Sequence, residues 1–142
     1  MLKITKKTII GRLENINITN LGLDGIVAKI DTGAYRGSIH STNIREEEEN
    51  GKKVLKFQIL DEQHPEYANK VHTFEDYKIC RFRGTKVDYH KRYVIPVSLE
   101  IAGKKIEGEL SLTDRKDLRY SVLLGRRALK KDFLIDVDQK NI

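Results

Sequence analysis

Residues 26–31 read Ile-Val-Ala-Lys-Ile-Asp, so a short apolar strand delivers an acid at its end, and Thr32, Gly33 and Ala34 follow at once. No other stretch limits the fold as much. Burial disfavours an ionised carboxylate, so an acid brought to the edge of a core needs a partner or a chemical use. Asp, Thr and Gly are also common turn residues, and on that plainer reading Asp31-Thr32-Gly33-Ala34 only reverses the chain. On both readings the strand stops at residue 31.

The rest of the chain reads as strands. Residues 8–16 form a first strand with Gly11 and Arg12 inside it, and residues 17–25, rich in Asn and Gly, a turn. Residues 38–44 are extended again, with Ile39 and His40 on opposite faces. Four glutamates, Glu46 to Glu49, lead into Asn50-Gly51, a strong hairpin signal. The return strand, residues 54–60, puts Leu55, Phe57 and Ile59 on one face. This hairpin is either an ordinary surface feature or a flap over a cleft, with residues 45–54 as the flap. Residues 61–70 form a loop, and residues 71–87 a weak pattern with a turn at Gly84-Thr85. Residues 92–101 alternate clearly, and Pro96, unable to donate to a ladder, suggests an edge strand or a bulge. A tight turn at residues 102–104 leads to a strand at 105–113. Residues 120–124 are a short apolar strand, 126–131 a short helix and 133–137 a last strand. The expected class is all-β, in one domain spanning residues 1–142.

Composition excludes some partners. No apolar run is long enough for a transmembrane helix or a signal peptide, and Cys80 is the one cysteine, so a cytoplasmic setting is expected. The net charge of +6 favours anionic partners or serves solubility alone. The most basic stretch carries Lys78, Arg81, Arg83, Lys86, Lys91 and Arg92 among Tyr77, Phe82, Tyr89 and Tyr93. Such a mixture suits single-stranded nucleic acid. Strands with solvated outer faces and aromatic inner ones explain it more simply, and nucleic acid is not the expected partner.

Asp31-Thr32-Gly33-Ala34, taken with Val122-Leu123-Leu124-Gly125-Arg126 before a short helix, resembles the retropepsin-like aspartic peptidases. Four blocks carry a closer likeness: Ile10-Gly11-Arg12-Leu13-Glu14; residues 29–34 with Ile39-His40; Leu112-Thr113-Asp114-Arg115; and residues 123–129. They look like the bacterial family named ATP-dependent zinc protease, a retropepsin-like group associated with ATP-grasp ligases that add glutamates to proteins. The resemblance runs over about residues 10–138. It implies a retropepsin-like acid-protease barrel with one short C-terminal helix. Asp31, Thr32 and Gly33 would form the catalytic loop, with Thr32 bracing it against a partner loop. Ala34, Tyr35, Arg36 and His40 would line the cleft. Gly125 would pass behind Asp31, Arg126 would be held by ionic or carbonyl contacts near a dimer interface, and Asp114 and Arg115 would give structural support. Tyr35 and Gly37 stand where that family usually has Arg and Ser, and Ser121 where it usually has Pro.

Aspartic catalysis uses two carboxylates sharing one proton, and this chain has a single Asp-Thr-Gly, so the resemblance implies a homodimer. The expected activity is that of an aspartic-type peptidase on acidic or glutamate-tailed proteins, with an ATP-grasp ligase as a further associate. The alternative is a non-catalytic peptide- or partner-binding module of the same fold. No cofactor and no metal is expected: His40, His64, His72, His90 and Cys80 lack ligand spacing, and His-Glu-x-x-His and a P-loop are both absent.

Overall fold

The computed structural model describes residues 6–83 and 89–141, with the backbone alone at 82, 83, 89 and 90. The expected turn at Gly84-Thr85, Lys86, and the side chains of Phe82, Arg83, Tyr89 and His90 lie outside the described residues. The elements are β1 (Thr8–Ile10), β2 (Leu13–Ile18), β3 (Leu23–Ile30), β4 (Gly37–Glu49), β5 (Lys52–Ile59) and β6 (His72–Phe74). They continue with β7 (Lys78–Arg83), β8 (Tyr89–Ile101), β9 (Lys104–Thr113), β10 (Val122–Leu124), α1 (Arg126–Leu129) and β11 (Phe133–Ile135).

Six strands close on themselves in the order β10-β3-β2-β8-β9-β4, and β4 returns to β10. This is the expected retropepsin-like barrel, with one short helix near its end. The three residues of β10 close it, running parallel to β3 and antiparallel to β4. Their alternation explains why: Val122 and Leu124 are fully buried and join Ile26, Ala28, Ile39 and Leu110 in the core. Each such Leu or Ile contributes about 2 kcal/mol by leaving water.

β3 begins at Leu23, inside the stretch expected to be a turn. A bulge reconciles the two. Ile16 pairs with Ile26 and Asn17 with Asp24, so Gly25 is left over at φ +81°, its N–H held by the Asn17 side chain at 2.8 Å. The extra residue shifts the alternation, so Leu23 and Ile26 both face inward.

Two expectations are corrected. The first strand is not continuous over residues 8–16. It breaks at Gly11 and Arg12, leaving β1 paired with β11 in a separate two-stranded sheet and β2 in the barrel. The break accommodates the chain's end: a Cβ at Gly11 would collide with the Gln139 carbonyl, and the Arg12 N–H donates to that carbonyl at 2.8 Å. Nor is the strand carrying Pro96 at an edge. β8 pairs β9 on one side, and on the other β7 up to Val94 and β2 from Leu99 onward. Pro96 falls in the gap between those two partners. Its carbonyl accepts from the Asn20 side chain at 3.0 Å, so its nitrogen faces the same gap, where no ladder bond is lost.

Beyond the barrel, β4 and β5 continue as a hairpin arm that turns at Asn50 and Gly51, both at positive φ (52° and 78°). Much of the acidic run is neutralised within the arm. Glu47 and Glu49 reach Lys56 at 3.2 and 2.6 Å, and Glu46 is 3.7 Å from Lys53. The basic stretch turns its tyrosines onto the same arm: the hydroxyls of Tyr77 and Tyr93 donate to the two oxygens of Glu46 at 2.7 and 2.9 Å. The Glu46 bond pushes the Tyr77 phenol up to about 12, and the two phenols hold Glu46 below the ordinary carboxylate range. For Tyr77 the raised value means the contribution is complete below pH 10 and is lost as pH rises towards about 12. For Glu46 the contribution is present above the ordinary glutamate range and lost on acidification. An absorbance titration of phenolate should therefore show one tyrosine ionising near pH 12, missing in Tyr77→Phe. A wild-type curve with every tyrosine near pH 10 would remove the clamp.

Candidate active site

Asp31 leaves β3 directly beside β10, and its N–H donates to the Leu124 carbonyl at 2.9 Å. Its own carbonyl accepts from the Ala34 N–H at 3.2 Å, and its Oδ1 accepts from the Gly33 N–H at 3.0 Å. The loop is thus closed by a backbone bond and a side-chain bond over the same residues. From behind, the Arg126 and Arg127 N–H groups donate to the Ala34 and Tyr35 carbonyls at 2.8 and 3.0 Å. Gly125 makes this approach possible: a Cβ there would stand 2.6 Å from the Tyr35 oxygen and 2.8 Å from that of Ala34. The Arg126 side chain reaches over the loop and donates to the Thr32 and Gly33 carbonyls at 3.1 and 3.2 Å. Thr32 and Gly33 remain exposed and Asp31 half-buried, so a rigid loop presents its carboxylate at the surface.

The flank of the loop is cationic. Tyr35 is 49% exposed, and the guanidiniums of Arg36, Arg126 and Arg127 lie 5.7–6.0 Å from its ring centre. Glu109 gathers Lys78 at 2.7 Å, Arg36 at 3.9 Å, and Arg127. Burial pushes the Glu109 carboxyl up, but the Lys78 bond and the charges of Arg127 and Arg36 outweigh it and hold the acid below its ordinary range. No local pattern marks Glu109. The parallel pairing of β4 with β9, Gly37 opposite Leu110, brings it beside Arg36.

A second cluster lies across β10. His40 is 2% exposed, and both of its ring nitrogens are engaged. Nδ1 accepts from the Arg115 N–H at 2.9 Å, which leaves Nε2 to carry the proton donated to Asp61 Oδ2, also at 2.9 Å. Asp114 is exposed, its Oδ1 3.7 Å from Nδ1. The Gln63 N–H, before the His40 bond, holds the Asp61 carboxyl below its ordinary value, against a smaller effect of burial. The Arg115 side chain donates from Nε to the Tyr120 carbonyl at 3.1 Å and from Nη1 to Ser38 Oγ at 3.3 Å. Burial lowers its pKa, Asp31's negative charge works against that, and Arg92's positive charge adds to it.

The structure therefore gathers Asp31 to Arg36, Gly125 and Arg126 around one loop, and His40, Asp114 and Arg115 in a cluster next to it. Ser38, Asp61, Arg92 and Glu109 enter the site without having been expected there. Arg92 alone had a signal, as part of the most basic stretch. A zinc centre does not fit these residues. Among the described residues no three His, Cys, Asp or Glu converge on a metal position, and both His40 nitrogens are already committed.

Residues 9–142 match a family described as retropepsin-like aspartic endopeptidase RimB. A Shewanella pealeana protein named "Probable alpha-L-glutamate ligase" is 34% identical over 134 residues, 92% of this chain and 28% of that protein. A Parasynechococcus marenigrum protein of the same name is 31% identical over 94% of this chain and 28% of its own length. The chain thus spans little more than a quarter of these relatives. The crystal structure of Lpg0085 from Legionella pneumophila, a protein of unknown function, is similar with a TM-score of 0.73 and 27% identity, over 96% of this chain and 98% of that one.

Proposed function

The chain belongs to the RimB-like family of retropepsin-like aspartic endopeptidases, and from that membership we propose that it cleaves peptide bonds through Asp31 paired with its own copy in a homodimer. The carrying observation is the loop itself: backbone bonds to β10 and α1 fix it, Arg126 covers its carbonyls, and Thr32 and Gly33 stand exposed. A two-fold axis through that exposed face would set two Asp31 carboxylates together. Sharing one proton, one takes a proton from water as its oxygen adds to the scissile carbonyl, and the other protonates the carbonyl oxygen. Collapse of the resulting diol passes a proton to the leaving nitrogen.

Acidic, glutamate-tailed proteins are the proposed substrates. The cationic flank of the loop supports this, as do relatives named glutamate ligases in which a matching segment forms part of a longer chain. The same relatives support an association with an ATP-grasp ligase, and the lone Cys80 supports a cytoplasmic setting. Specific activity measured against protein concentration tests the dimer. It should rise with dilution reversed, alongside a monomer–dimer transition in sedimentation equilibrium. Full specific activity from a strict monomer would overturn the paired-aspartate reading.

A further inference from the structure

His40 is buried with its backbone held on both sides. Its N–H donates to the Ser121 carbonyl and its carbonyl accepts from the Leu60 N–H, each at 2.8 Å. The ring is therefore fixed, and a change in its charge falls on its partners. In the neutral form Nδ1 accepts from the Arg115 N–H and Nε2 donates to Asp61 Oδ2, both at 2.9 Å. A proton added from solvent at Nδ1 sets two N–H donors face to face, and one of them has to leave. Asp114 Oδ1 stands 3.7 Å from the same nitrogen. We propose that His40 is an acid-sensitive latch: on taking that proton it exchanges the Arg115 N–H for the Asp114 carboxylate, and the Arg115 loop is released from the start of β10.

The surroundings of the ring fit such an exchange. Asp61 reaches it from the loop after β5, and Asp114, Arg115 and Lys116 come from the loop after β9. His64 lines the same cavity of about 140 Å³, with His40, Asp61, Gln63, Arg115, Lys116 and Ser121, and that cavity gives solvent protons a route to the ring. The two carboxylates favour a charged imidazole, while Arg115 and Lys116, and His64 when protonated, oppose it. Both carboxylates are steadied at their posts: Asp61 Oδ1 accepts from the Gln63 N–H and Asp114 Oδ1 from the Lys116 N–H, each at 3.0 Å. The Arg115 loop is what the latch restrains. Its guanidinium holds the Tyr120 carbonyl at 3.1 Å and Ser38 Oγ at 3.3 Å. Tyr120 and Ser121 lead straight into β10, whose Leu124 carbonyl takes the Asp31 N–H. Acid thus acts on the strand that closes the barrel, whatever reaction Asp31 performs.

The test is a 15N NMR titration of the full chain from about pH 8 to about pH 5, the range in which an imidazole changes charge. The His40 ring should start with its proton on Nε2 and gain a second on Nδ1. The Arg115 amide proton should move with the same midpoint, and its protection from solvent exchange should fall. Asp114→Asn, at an exposed position, should lower both midpoints by roughly 0.5 pH unit, because an amide holds the charged ring less well than a carboxylate. His64→Gln should leave the Arg115 response in place, and its loss there would assign the effect to His64 and overturn the latch. An Arg115 amide that keeps its shift and protection while Nδ1 is protonated overturns it as well. So do a midpoint unchanged in Asp114→Asn and a ring that stays neutral until the chain unfolds. Should Asp114→Asn fail to fold, the wild-type titration decides by whether the His40 and Arg115 midpoints coincide.

Discussion

Asp31→Asn should abolish peptide cleavage, lowering kcat by at least about 10³-fold with the fold unchanged. The substitution keeps the shape of the side chain, and the amide oxygen can still accept from the Gly33 N–H, now 3.0 Å from Oδ1. The backbone bonds to Leu124 and Ala34 are untouched. Only the ability to take a proton from water is lost, and in a symmetric dimer it is lost from both halves of the pair. The assay is cleavage of a glutamate-tailed peptide from pH 4 to pH 8. Wild type should show a profile belonging to the pair of carboxylates rather than to either one. Cleavage that survives the substitution would refute Asp31. Binding of acidic peptide that survives in both proteins, with no cleavage by either, would favour a non-catalytic module on this fold.

Gly125→Ala should destabilise the fold by about 2–4 kcal/mol, read as a lower urea midpoint. The added Cβ would stand 2.6 Å from the Tyr35 oxygen and 2.8 Å from the Ala34 oxygen. Both atoms are backbone, and both accept from the turn that opens α1, so neither can retreat without breaking a bond. Activity should fall with stability, because these same carbonyls place the Asp31 loop. Gly51→Ala makes the control. Nothing lies within 4 Å of a Cβ there, and the cost, about 1 kcal/mol, comes only from its φ of +78°. An equal midpoint shift in the two variants would mean that close packing behind the loop counts for nothing.

The part of the site that was legible in the sequence is the part made by neighbours along the chain. An apolar strand ending in Asp31 with Thr32 and Gly33 after it, and Leu123-Leu124-Gly125-Arg126 before a helix, state their local geometry in residue order. Asn50-Gly51 and Ala102-Gly103 announce their hairpins for the same reason, since a two-residue turn with positive φ admits few residue types. The break at Gly11 was not legible, because its cause is Gln139 at the other end of the chain. The place of Pro96 depended on where β7 stops and β2 begins, which pairing decides.

By itself, then, the sequence determined the all-β class, the hairpin turns at Asn50-Gly51 and Ala102-Gly103, and the loop on which the one Asp-Thr-Gly acid stands. Each of these follows from alternation and backbone preference within a few residues. The tertiary structure alone decided what surrounds that acid. It set Glu109 against Arg36 through the β4–β9 register, and it sank His40 between Asp61 and the Arg115 N–H. It also brought Arg115 within reach of the Asp31 charge. Contacts of that kind join residues tens of positions apart, and the pairing of β4 with β9 and β5 makes them neighbours.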